Sequence, residues 1–270
     1  MEPGIVPSIE SVRRTVAAEL AYTMSRMQVL ESLPGNPVGI AYRPLGHGAV
    51  ALMARHFPNP SFSTVVGLNR EHAGTMATVL AAYREHGSKP RFEIVPGLDD
   101  GTLARELAGL GLVPCGPFHT SMIGTARPEP APDPRVEQVT DDTAMEAFLD
   151  AYVAGWGIAA AQHAQFKANV RPWRHRPDWT LYLGRVEGAP AAAAIVYIKD
   201  GVAYLADAAT APAFRGRGLQ SALLRRRMAT AAARGVDFVC SGAEFLSGSQ
   251  RNMARAGLRL QFVRTYWTLP

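Results

Sequence analysis

The sequence predicts an α+β protein with two domains of similar layout, each a mixed, mostly antiparallel sheet flanked by helices. Three observations support this prediction. The predicted elements follow the same order in both halves of the 270-residue chain, which indicates an internal duplication. A proline-rich segment separates the halves. Hydrophobic residues make up 47% of the chain and charged residues 19%, a composition typical of folded globular domains.

The boundary lies in ARPEPAPDP, where every second residue from Pro128 to Pro134 is proline. Proline lacks the backbone N–H that a helix or an inner strand needs, so the segment favours an extended linker. We therefore expect a first domain at residues 1–125, a linker at 126–134 and a second domain at 135–270.

The first half opens with a helix predicted from Ser8 to Leu33, because apolar residues recur there at helical spacing. A second helix is predicted from Glu71 and ends at Gly87, a residue suited to the left-handed conformation that closes helices. The other predicted elements are strands at Val38–Tyr42, Ala49–Phe57 and Ser63–Leu68, a strand near Arg91–Val95, a helix near Asp99–Gly109 and a strand near Phe118–Gly124.

The second half repeats this order after a short strand at Val136–Val139. A helix follows from Thr140 to Gly155, with Thr140 or Asp141 as its cap, and another covers Ala159–Val170. Three strands come next, joined by turns at Glu187-Gly188 and Asp200-Gly201, because Asp-Gly is a strong hairpin signal. The closing elements are a helix that stops at Gly235, a buried strand VDFVCSG, a short helix that ends at Gly257, and one or more strands in LRLQFVRTYWTL.

Charge and cysteine content exclude little. The net charge of +5 fits an anionic ligand or nucleic acid, but the arginines are scattered apart from one cluster, which disfavours nucleic acid. Cys115 and Cys240 are expected to be thiols in a reducing compartment. The N-terminus lacks the apolar region of a signal peptide and no run reaches the length of a membrane span. We expect a cytoplasmic protein that binds neither a membrane nor a metal.

The stretch TAPAFRGRGLQSALLRRR, Thr210–Arg227, joins a predicted strand to a predicted helix. Free N–H groups and partial positive charge at a helix start favour an anion, glycine permits its close approach, and Arg215 and Arg217 add charge. The chain has no G-x-x-x-x-G-K-[ST] loop. A Rossmann turn is disfavoured because GRGLQS ends in serine and follows three hairpin-linked strands. A diphosphate is the ligand that this turn favours.

These residues and the order of the elements resemble the GCN5-related N-acetyltransferase (GNAT) superfamily. Its acyl-CoA signature, [RQ]-x-x-G-x-[GA], is matched by Arg215 and Gly218, whereas Gln220 replaces the final small residue. SQRNMARAGL resembles a later family motif, with Asn252 as its asparagine. The resemblance covers the second half. The first half is similar in layout only and has NREHAG, Asn69–Gly74, in place of the turn, so we expect a tandem arrangement with a degenerate first copy.

The resemblance implies an acyl-CoA site in the second half. Backbone N–H groups of the turn would hold the diphosphate, and the edge of the preceding strand would pair with the pantetheine arm. The small residues of that strand suit close approach of a thin ligand, although a tightly packed sheet would explain them equally well. The implied cofactor-binding residues are Ala208, Ala209, Thr210, Ala211, Arg215, Gly216, Arg217, Gly218, Leu219, Gln220, Ser221 and Asn252.

Catalytic groups are less clearly indicated. Direct acyl transfer needs a general base, which is often a carboxylate. Glu244 and Asp207 are the candidates, with a solvated loop position and a structural role as their alternatives. Strand alternation predicts Asp207 on the face opposite Ala206 and Ala208. The tyrosine that protonates the thiolate in many family members is Met253 here, so Ser247, Ser249, Tyr266 or water would have to replace it.

Other charged and aromatic stretches have plainer explanations. Arg225–Arg227 are expected mainly on a solvated helix face, with one of them near the CoA 3′-phosphate as the alternative. VRPWRHRPDW mixes arginines with rings as a nucleic-acid surface does, but a loop is favoured. The helical region that lines the acceptor pocket in the family is matched here by Trp156, Gln162, His163 and Phe166, which are also common as core or surface residues.

The sequence therefore predicts an N-acetyltransferase that uses acetyl-CoA or another acyl-CoA. It would acylate a primary amine of a small molecule or peptide by direct transfer in a ternary complex. The first half would be structural, cover the acceptor pocket or form a homodimer contact. Two alternatives stay open: a non-catalytic acyl-CoA-binding or regulatory module, which Met253 favours, and an aminoacyl-tRNA-dependent transferase, which the basic charge permits.

Overall fold

A computed structural model describes residues 5–57 and 59–270 and has an α+β architecture. The predicted order of elements is confirmed in both halves. In the first half, the elements are α1 (Ile9–Glu31), β1 (Ile40–Gly46), β2 (Ala49–Ala54), β3 (Thr64–Val66), α2 (Met76–His86), β4 (Arg91–Ile94), α3 (Thr102–Gly109) and β5 (Val113–Thr125).

The second half contains the same series with one additional strand, β6, at its start and one additional helix, α5, before the three strands. Its elements are β6 (Val136–Gln138), α4 (Asp142–Trp156), α5 (His163–Val170), β7 (Trp179–Val186), β8 (Ala189–Lys199), β9 (Val202–Thr210), α6 (Leu219–Ala233), β10 (Phe238–Glu244), α7 (Gly248–Arg255) and β11 (Arg259–Thr268). The helix predicted at Ala159–Val170 is shorter than expected, because its first residues form a 3₁₀ turn, Ala160–Gln162, before α5.

Local chemistry explains the helix ends. Ser8 caps α1 through a capping box with Ser11, and the side chain of Asp141 accepts a hydrogen bond from the Ala144 N–H at the start of α4. Thr140 is therefore not the cap. Gly87, after α2, has a left-handed φ of 76°, as predicted for a residue that closes a helix.

The chain divides into two compact units. The N-terminal unit comprises Val6–Ser121 and Leu260–Pro270, and its strands lie in the order β1-β2-β3-β4-β11-β5. β3 and β4 are parallel, whereas β11 pairs antiparallel with β4 through Thr265 and Ile94. The helices pack on this sheet over a core that includes Tyr83 and Phe92.

The C-terminal unit is built from Met122–Arg259. Its strands lie in the order β10-β9-β8-β7-β6, with the end of β5 beside β10. β9 and β10 are parallel, at the position that the parallel pair β3–β4 has in the other unit. The core beneath α6 contains Leu219, Leu223 and Met228.

These units differ from the predicted domains at the last strand. The sequence assigns residues 135–270 to one domain, but Leu260–Pro270 completes the sheet of the N-terminal unit. The C-terminal unit has residues 122–125 of β5 in the corresponding place beside β10. A strand pattern shows which side chains alternate and does not identify the neighbouring strand. In a duplicated fold, the last strands of the two copies can therefore exchange places.

Candidate functional site

The glycine-rich turn between β9 and α6 leaves the first turn of the helix open to a ligand. Gly216 and Gly218 have left-handed φ angles of 77° and 78°, which other residues rarely adopt. Gly218 precedes α6 and has no side chain with which to cap it. The N–H groups at the start of a helix lack internal partners and carry partial positive charge. The turn is exposed and can therefore accept an anion such as a phosphate.

Two arginines hold the shape of this turn. The Nε of Arg215 donates to the carbonyl of Thr210 at 3.2 Å, and the Nη1 of Arg135 donates to the carbonyl of Arg217 at 2.9 Å. Arg135 also forms a bidentate pair with Asp133, and its hydrogen bonds lower the pKa of that carboxyl to about 2. Sequence analysis missed Arg135, because its contact with the turn is long-range.

The regular pairing of β9 with β10 ends before the turn. Their parallel pairing runs from Val202 and Phe238 to Leu205 and Ser241, although β9 continues to Thr210 and β10 to Glu244. On its other edge, β9 stays paired with β8, with Ala209 opposite Ala193. The segment from Ala208 to Thr210 is half-buried. The edge of β9 beyond this pairing can admit an extended ligand arm.

A β-bulge in β9 interrupts the strand alternation at Asp207. Ile195 pairs with Ala206, but the next pair is Ala193 with Ala209, and Asp207 has a left-handed φ of 42°. Ala208 packs against the core beneath α6. Asp207 instead accepts a hydrogen bond from the Tyr152 hydroxyl of α4 at 3.4 Å. Asp207 does lie on the face of the sheet opposite Ala208. The bulge, however, breaks the regular alternation on which the prediction relied.

The other catalytic candidates belong to different elements, although the Ser247 N–H donates to the Glu244 carbonyl at 3.1 Å. Glu244 is the exposed last residue of β10. Met253 is buried in the core beneath α6, and the Ser247 side chain caps α7. Tyr266 belongs to β11 in the N-terminal unit, where burial raises the pKa of its hydroxyl to about 12.

Gln220, the residue that departs from the family signature, joins the two helices beside the turn. Its Nε2 donates to Ser249 Oγ at 2.8 Å, and its Oε1 accepts a hydrogen bond from Asn252. The predicted binding residues Gln220 and Asn252 are thus brought together, and Ser249 is already engaged with them. A glycine or alanine at position 220 would lack this link between α6 and α7.

A cavity of about 600 Å³ lies between α6, α7 and the proline-rich segment. Ser221 and Arg225 line it from α6, Asn252 and Arg255 from α7, and Arg127 from the proline-rich segment. Three arginines and two small polar side chains make this cavity suitable for a phosphate-bearing group. The proline-rich segment is therefore one wall of the cavity, whereas the sequence suggested only a linker.

The run Arg225–Arg227 divides between surface and core. Glu129 is also in the cavity wall. Its Oε1 lies 3.6 Å from the Nε of Arg225, and its Oε2 lies 3.4 Å from the Nε of Arg226. Arg225 is exposed, but Arg227 is only 1% exposed. The prediction of a mainly solvated face is therefore wrong for Arg227. Charge density alone does not reveal a buried arginine, because its partners are strand carbonyls distant in sequence.

The predicted acceptor residues lie on one stretch from the end of α4 through α5. Trp156 is 49% exposed and Gln162 is exposed. His163 and Phe166 are half-buried, and the His163 ring contacts the carbonyl of Ile158.

The end of α4 contacts the β9 segment through Gly155. A Cβ at Gly155 would lie 2.7 Å from the Cβ of Ala209. Trp156 is the next residue and the last of α4. Tyr152, which sequence analysis missed, lies one turn earlier and meets both Trp156 and Asp207.

The stretch VRPWRHRPDW is a buried and ion-paired segment. Trp173 is buried and packs against Tyr152 and Trp179. Arg171 and Arg174 pair with Glu146 and Asp142 of α4. The indoles of Trp173 and Trp179 are therefore core residues, whereas His175 is exposed. Two arginines of the segment hold it against α4.

In the N-terminal unit, a carboxylate occupies the corresponding helix start. Glu106 of α3 accepts hydrogen bonds from the Gly74 N–H at 2.8 Å and the Met76 N–H at 2.9 Å, at the beginning of α2. In the alignment of ELAGLGL with NMARAGL, Glu106 corresponds to Asn252. The first copy thus satisfies its helix N-terminus with its own anion, while the second leaves its N-terminus open.

Within residues 5–57 and 59–270, no three His, Cys, Asp or Glu side chains are grouped so that they could hold a metal ion. In the same ranges, no helix has the length and apolar character needed to cross a bilayer.

Comparison with known proteins agrees with this geometry. Residues 126–247 match the family model described as an acetyltransferase (GNAT) domain. No protein with curated information matches the sequence. A GCN5-related N-acetyltransferase from Kribbella flavida is similar in structure, with 18% identity, a TM-score of 0.65, and coverage of 94% of this chain and 95% of that one.

Two other solved structures match over nearly the whole chain. A GCN5-related N-acetyltransferase from Sphaerobacter thermophilus has 17% identity, a TM-score of 0.60, and coverage of 98% of this chain and 94% of that one. A tandem GNAT protein from the clavulanic acid biosynthesis pathway has 15% identity, a TM-score of 0.60 and 98% coverage of both chains.

The fold defines this chain as an α+β protein with the tandem GNAT architecture. Its residues 126–247 match the GNAT acetyltransferase domain model. The resemblance based on the turn at Arg215–Gln220 is therefore confirmed.

Proposed function

We propose that the protein is an acyl-CoA-dependent N-acyltransferase with one acyl-CoA site, in the C-terminal unit. The observation that carries this proposal is the uncapped start of α6, where Gly216 and Gly218 adopt left-handed conformations after the part of β9 that extends beyond its pairing with β10. A diphosphate at the turn, an extended arm along Ala208–Ala211 and a nucleotide in the arginine-lined cavity together match the three parts of CoA. The GNAT domain supports this class of reaction in general.

The proposed reaction is direct transfer of an acetyl group to a primary amine of a small molecule or peptide. The amine nitrogen forms a bond to the thioester carbonyl carbon and loses a proton to a base. The carbon–sulfur bond then breaks, and the thiolate takes up a proton to leave as CoA. Asp207 and Glu244 stay the candidates for the base. Asp207 is favoured because it lies in the bulge next to Ala208 and is hydrogen-bonded to Tyr152.

The acceptor side of the proposed site is the end of α4. Trp156 is half-exposed there, and Gly155 packs directly on Ala209 and Thr210. Gln162, His163 and Phe166 follow and would contribute more distant contacts. The Trp156 ring contacts Tyr152, whose hydroxyl binds the Asp207 carboxylate. An exposed indole joined in this way to a carboxylate suits an amine, because ammonium groups are attracted both to negative charge and to aromatic faces.

One acyl-CoA per chain is the proposed stoichiometry. In the N-terminal unit, the Glu106 carboxylate already accepts hydrogen bonds from Gly74 and Met76. A diphosphate at that helix start would have to displace a negative charge that is held by the protein. The N-terminal unit would therefore serve as structure, as a cover for the acceptor pocket or as a homodimer contact.

The second candidate is a non-catalytic acyl-CoA-binding module. It is favoured by Met253, which is 4% exposed and packed in the core at the place of the family's tyrosine acid. An aminoacyl-tRNA-dependent transferase is the remaining alternative and has less support, since Trp173 in the basic stretch is buried and Arg171 and Arg174 are ion-paired.

Calorimetric titration with acetyl-CoA tests the proposed site. Gly218→Glu places a carboxylate at the anion position, and we expect about 100-fold weaker binding from like-charge repulsion. Gly235→Glu is the matched control, because Gly235 is a left-handed glycine just beyond the other end of α6 with nothing within 4 Å of an added Cβ. Equal affinity of the wild type and Gly218→Glu for acetyl-CoA would refute the proposed site. Binding of two acetyl-CoA molecules per chain would refute the proposal that the N-terminal unit does not bind acyl-CoA.

Thiol release with a panel of amines then separates the candidate functions. Turnover on any amine supports the transferase. Tight acetyl-CoA binding without release of CoA on any acceptor supports the module. Salt-dependent binding of tRNA together with inactivity of acetyl-CoA alone would support the aminoacyl-tRNA alternative.

A further inference from the structure

Arg227 is a charged side chain in the middle of the C-terminal core. It lies on α6 and is 1% exposed, which makes it one of the largest fully buried side chains in the described chain. Its Nε donates to the carbonyl of Leu223 at 3.1 Å, one turn earlier in the helix. Its Nη1 donates to the carbonyl of Ile195 at 3.1 Å and to that of Ala206 at 3.2 Å. A single guanidinium thus joins α6 to both β8 and β9.

The two strand carbonyls mark the beginning of the bulge in β9. Ile195 and Ala206 form the last regular pair before the register shifts, and the next pair is Ala193 with Ala209. The extra residue of β9 therefore falls within Asp207–Ala208, and Asp207 has a φ of 42°. Left-handed backbone at a residue other than glycine is sparsely populated and persists only where the surrounding structure enforces it.

The bulge determines where the following segment of β9 lies. Pairing between β9 and β10 ends at Leu205 and Ser241, immediately before it. Beyond the bulge, Ala208 faces the core beneath α6 and Ala209 contacts Gly155 of α4. A regular strand would interchange these faces, since a shift of one residue moves each side chain to the other side of the sheet.

We propose that Arg227 is a positioning residue that holds the β9 bulge and so sets Asp207 and the Ala208–Ala211 segment relative to the glycine-rich turn. This inference rests on the proposed acyl-CoA site for its catalytic consequence. Arginine suits the role because its planar group offers several donors in a fixed arrangement, whereas the lysine ammonium is a single compact charge. Burial lowers the pKa of Arg227 to about 10, while Asp207 and Tyr182 oppose that shift. The guanidinium therefore stays protonated at neutral pH.

The experiment compares Arg227→Met and Arg227→Lys with Leu224→Ala. Leu224 is fully buried on the same helix, so its truncation weakens the core without removing the bonds to Ile195 and Ala206. We expect kcat to fall about 100-fold in Arg227→Met, because misplacement by about 1 Å can cost that much. Arg227→Lys should recover part of the loss. Binding of adenosine 3′,5′-bisphosphate, which lacks the pantetheine arm, should match the wild type in all three variants.

Hydrogen exchange of residues 206–211 provides a readout that does not depend on catalysis. Arg227→Met should speed exchange there more than Leu224→Ala does, with Arg227→Lys between them. If wild-type protein does not bind acetyl-CoA, the proposed function fails while the exchange data still test the bulge. Equal exchange in Arg227→Met and Leu224→Ala would overturn the positioning role. If the enzyme is active, equal kcat values for these two variants would also overturn it. Should Arg227→Met not fold, the same comparisons with Arg227→Lys decide.

Discussion

Replacing Gly155 with alanine is a sharp test of the contact between α4 and the proposed cofactor strand. An added Cβ would lie 2.7 Å from the Ala209 Cβ, 3.0 Å from the Ala209 carbonyl carbon and 3.2 Å from the Thr210 nitrogen. Carbon atoms pack best at about 3.5–4.0 Å, so α4 and β9 would have to separate by about 1 Å. Two of the three contacted atoms are backbone, which cannot rotate away.

Helix propensity and packing make opposite predictions for this substitution. Alanine in place of glycine within a helix stabilises by about 1 kcal/mol, whereas overpacking a tight contact costs about 1–3 kcal/mol. We therefore expect Gly155→Ala to lower the free energy of unfolding by up to about 2 kcal/mol. Because the displaced segment would hold the pantetheine arm, kcat/KM for acetyl-CoA should fall about 100-fold.

Urea denaturation and steady-state kinetics measure the two effects separately. Ala154→Gly is the control, because Ala154 is an exposed neighbour on the same helix. That variant should lose about 1 kcal/mol of stability through propensity alone and keep its kcat/KM. A stability gain of about 1 kcal/mol in Gly155→Ala with unchanged kinetics would show that the close contact does not exist.

Three further predictions concern the N-terminal unit, and urea denaturation tests each. Glu106→Ala removes the acceptor for two N–H groups at the start of α2 and should lower the free energy of unfolding by about 1–2 kcal/mol. The control Glu71→Ala, at an exposed site, should lower it by less than about 0.5 kcal/mol. Equal losses in the two variants would contradict the capping role of Glu106. Arg264→Met leaves the buried carboxylates of Glu19 and Glu93 without their shared partner and should cost about 3–5 kcal/mol, so a loss below about 1 kcal/mol would exclude a buried charge network. Burial raises the pKa of Glu19 although Arg264 opposes the shift, so the stability that this group contributes is present at low pH and is lost as the pH rises through the raised pKa. Glu19→Gln should therefore flatten that decline, and superimposable pH profiles would refute the assignment.

Local sequence patterns predicted most of the fold. Apolar spacing located α1, Gly87 marked the end of α2, and the dipeptides Glu187-Gly188 and Asp200-Gly201 marked the two hairpins of the C-terminal sheet. These features depend on residues a few positions apart, which one sequence displays directly. The glycine–arginine turn was found for the same reason, since its anion-binding donors all belong to one short segment.

The misplaced features all involve partners that are distant in the chain. β11 was assigned to the second domain, yet it pairs with β4. Arg227 was expected mainly at the surface, yet it binds the carbonyls of Ile195 and Ala206. Asp207 was assigned to a face by alternation, which the bulge interrupts. Register and burial arise from long-range contacts, so the local pattern could not determine them.

The amino-acid sequence alone was thus enough to indicate a duplicated α+β fold and the segment at 215–220 in which the second copy can bind a diphosphate. Folding decided three further features of the site. It exchanged the last strands, made the proline-rich segment a wall of the cavity at Arg127, and filled the helix start of the first copy with Glu106. The physical reason is the range of the interactions. Turn conformation and helix polarity are properties of neighbouring residues, whereas an occupied or an open helix N-terminus depends on which distant side chain the fold brings to it.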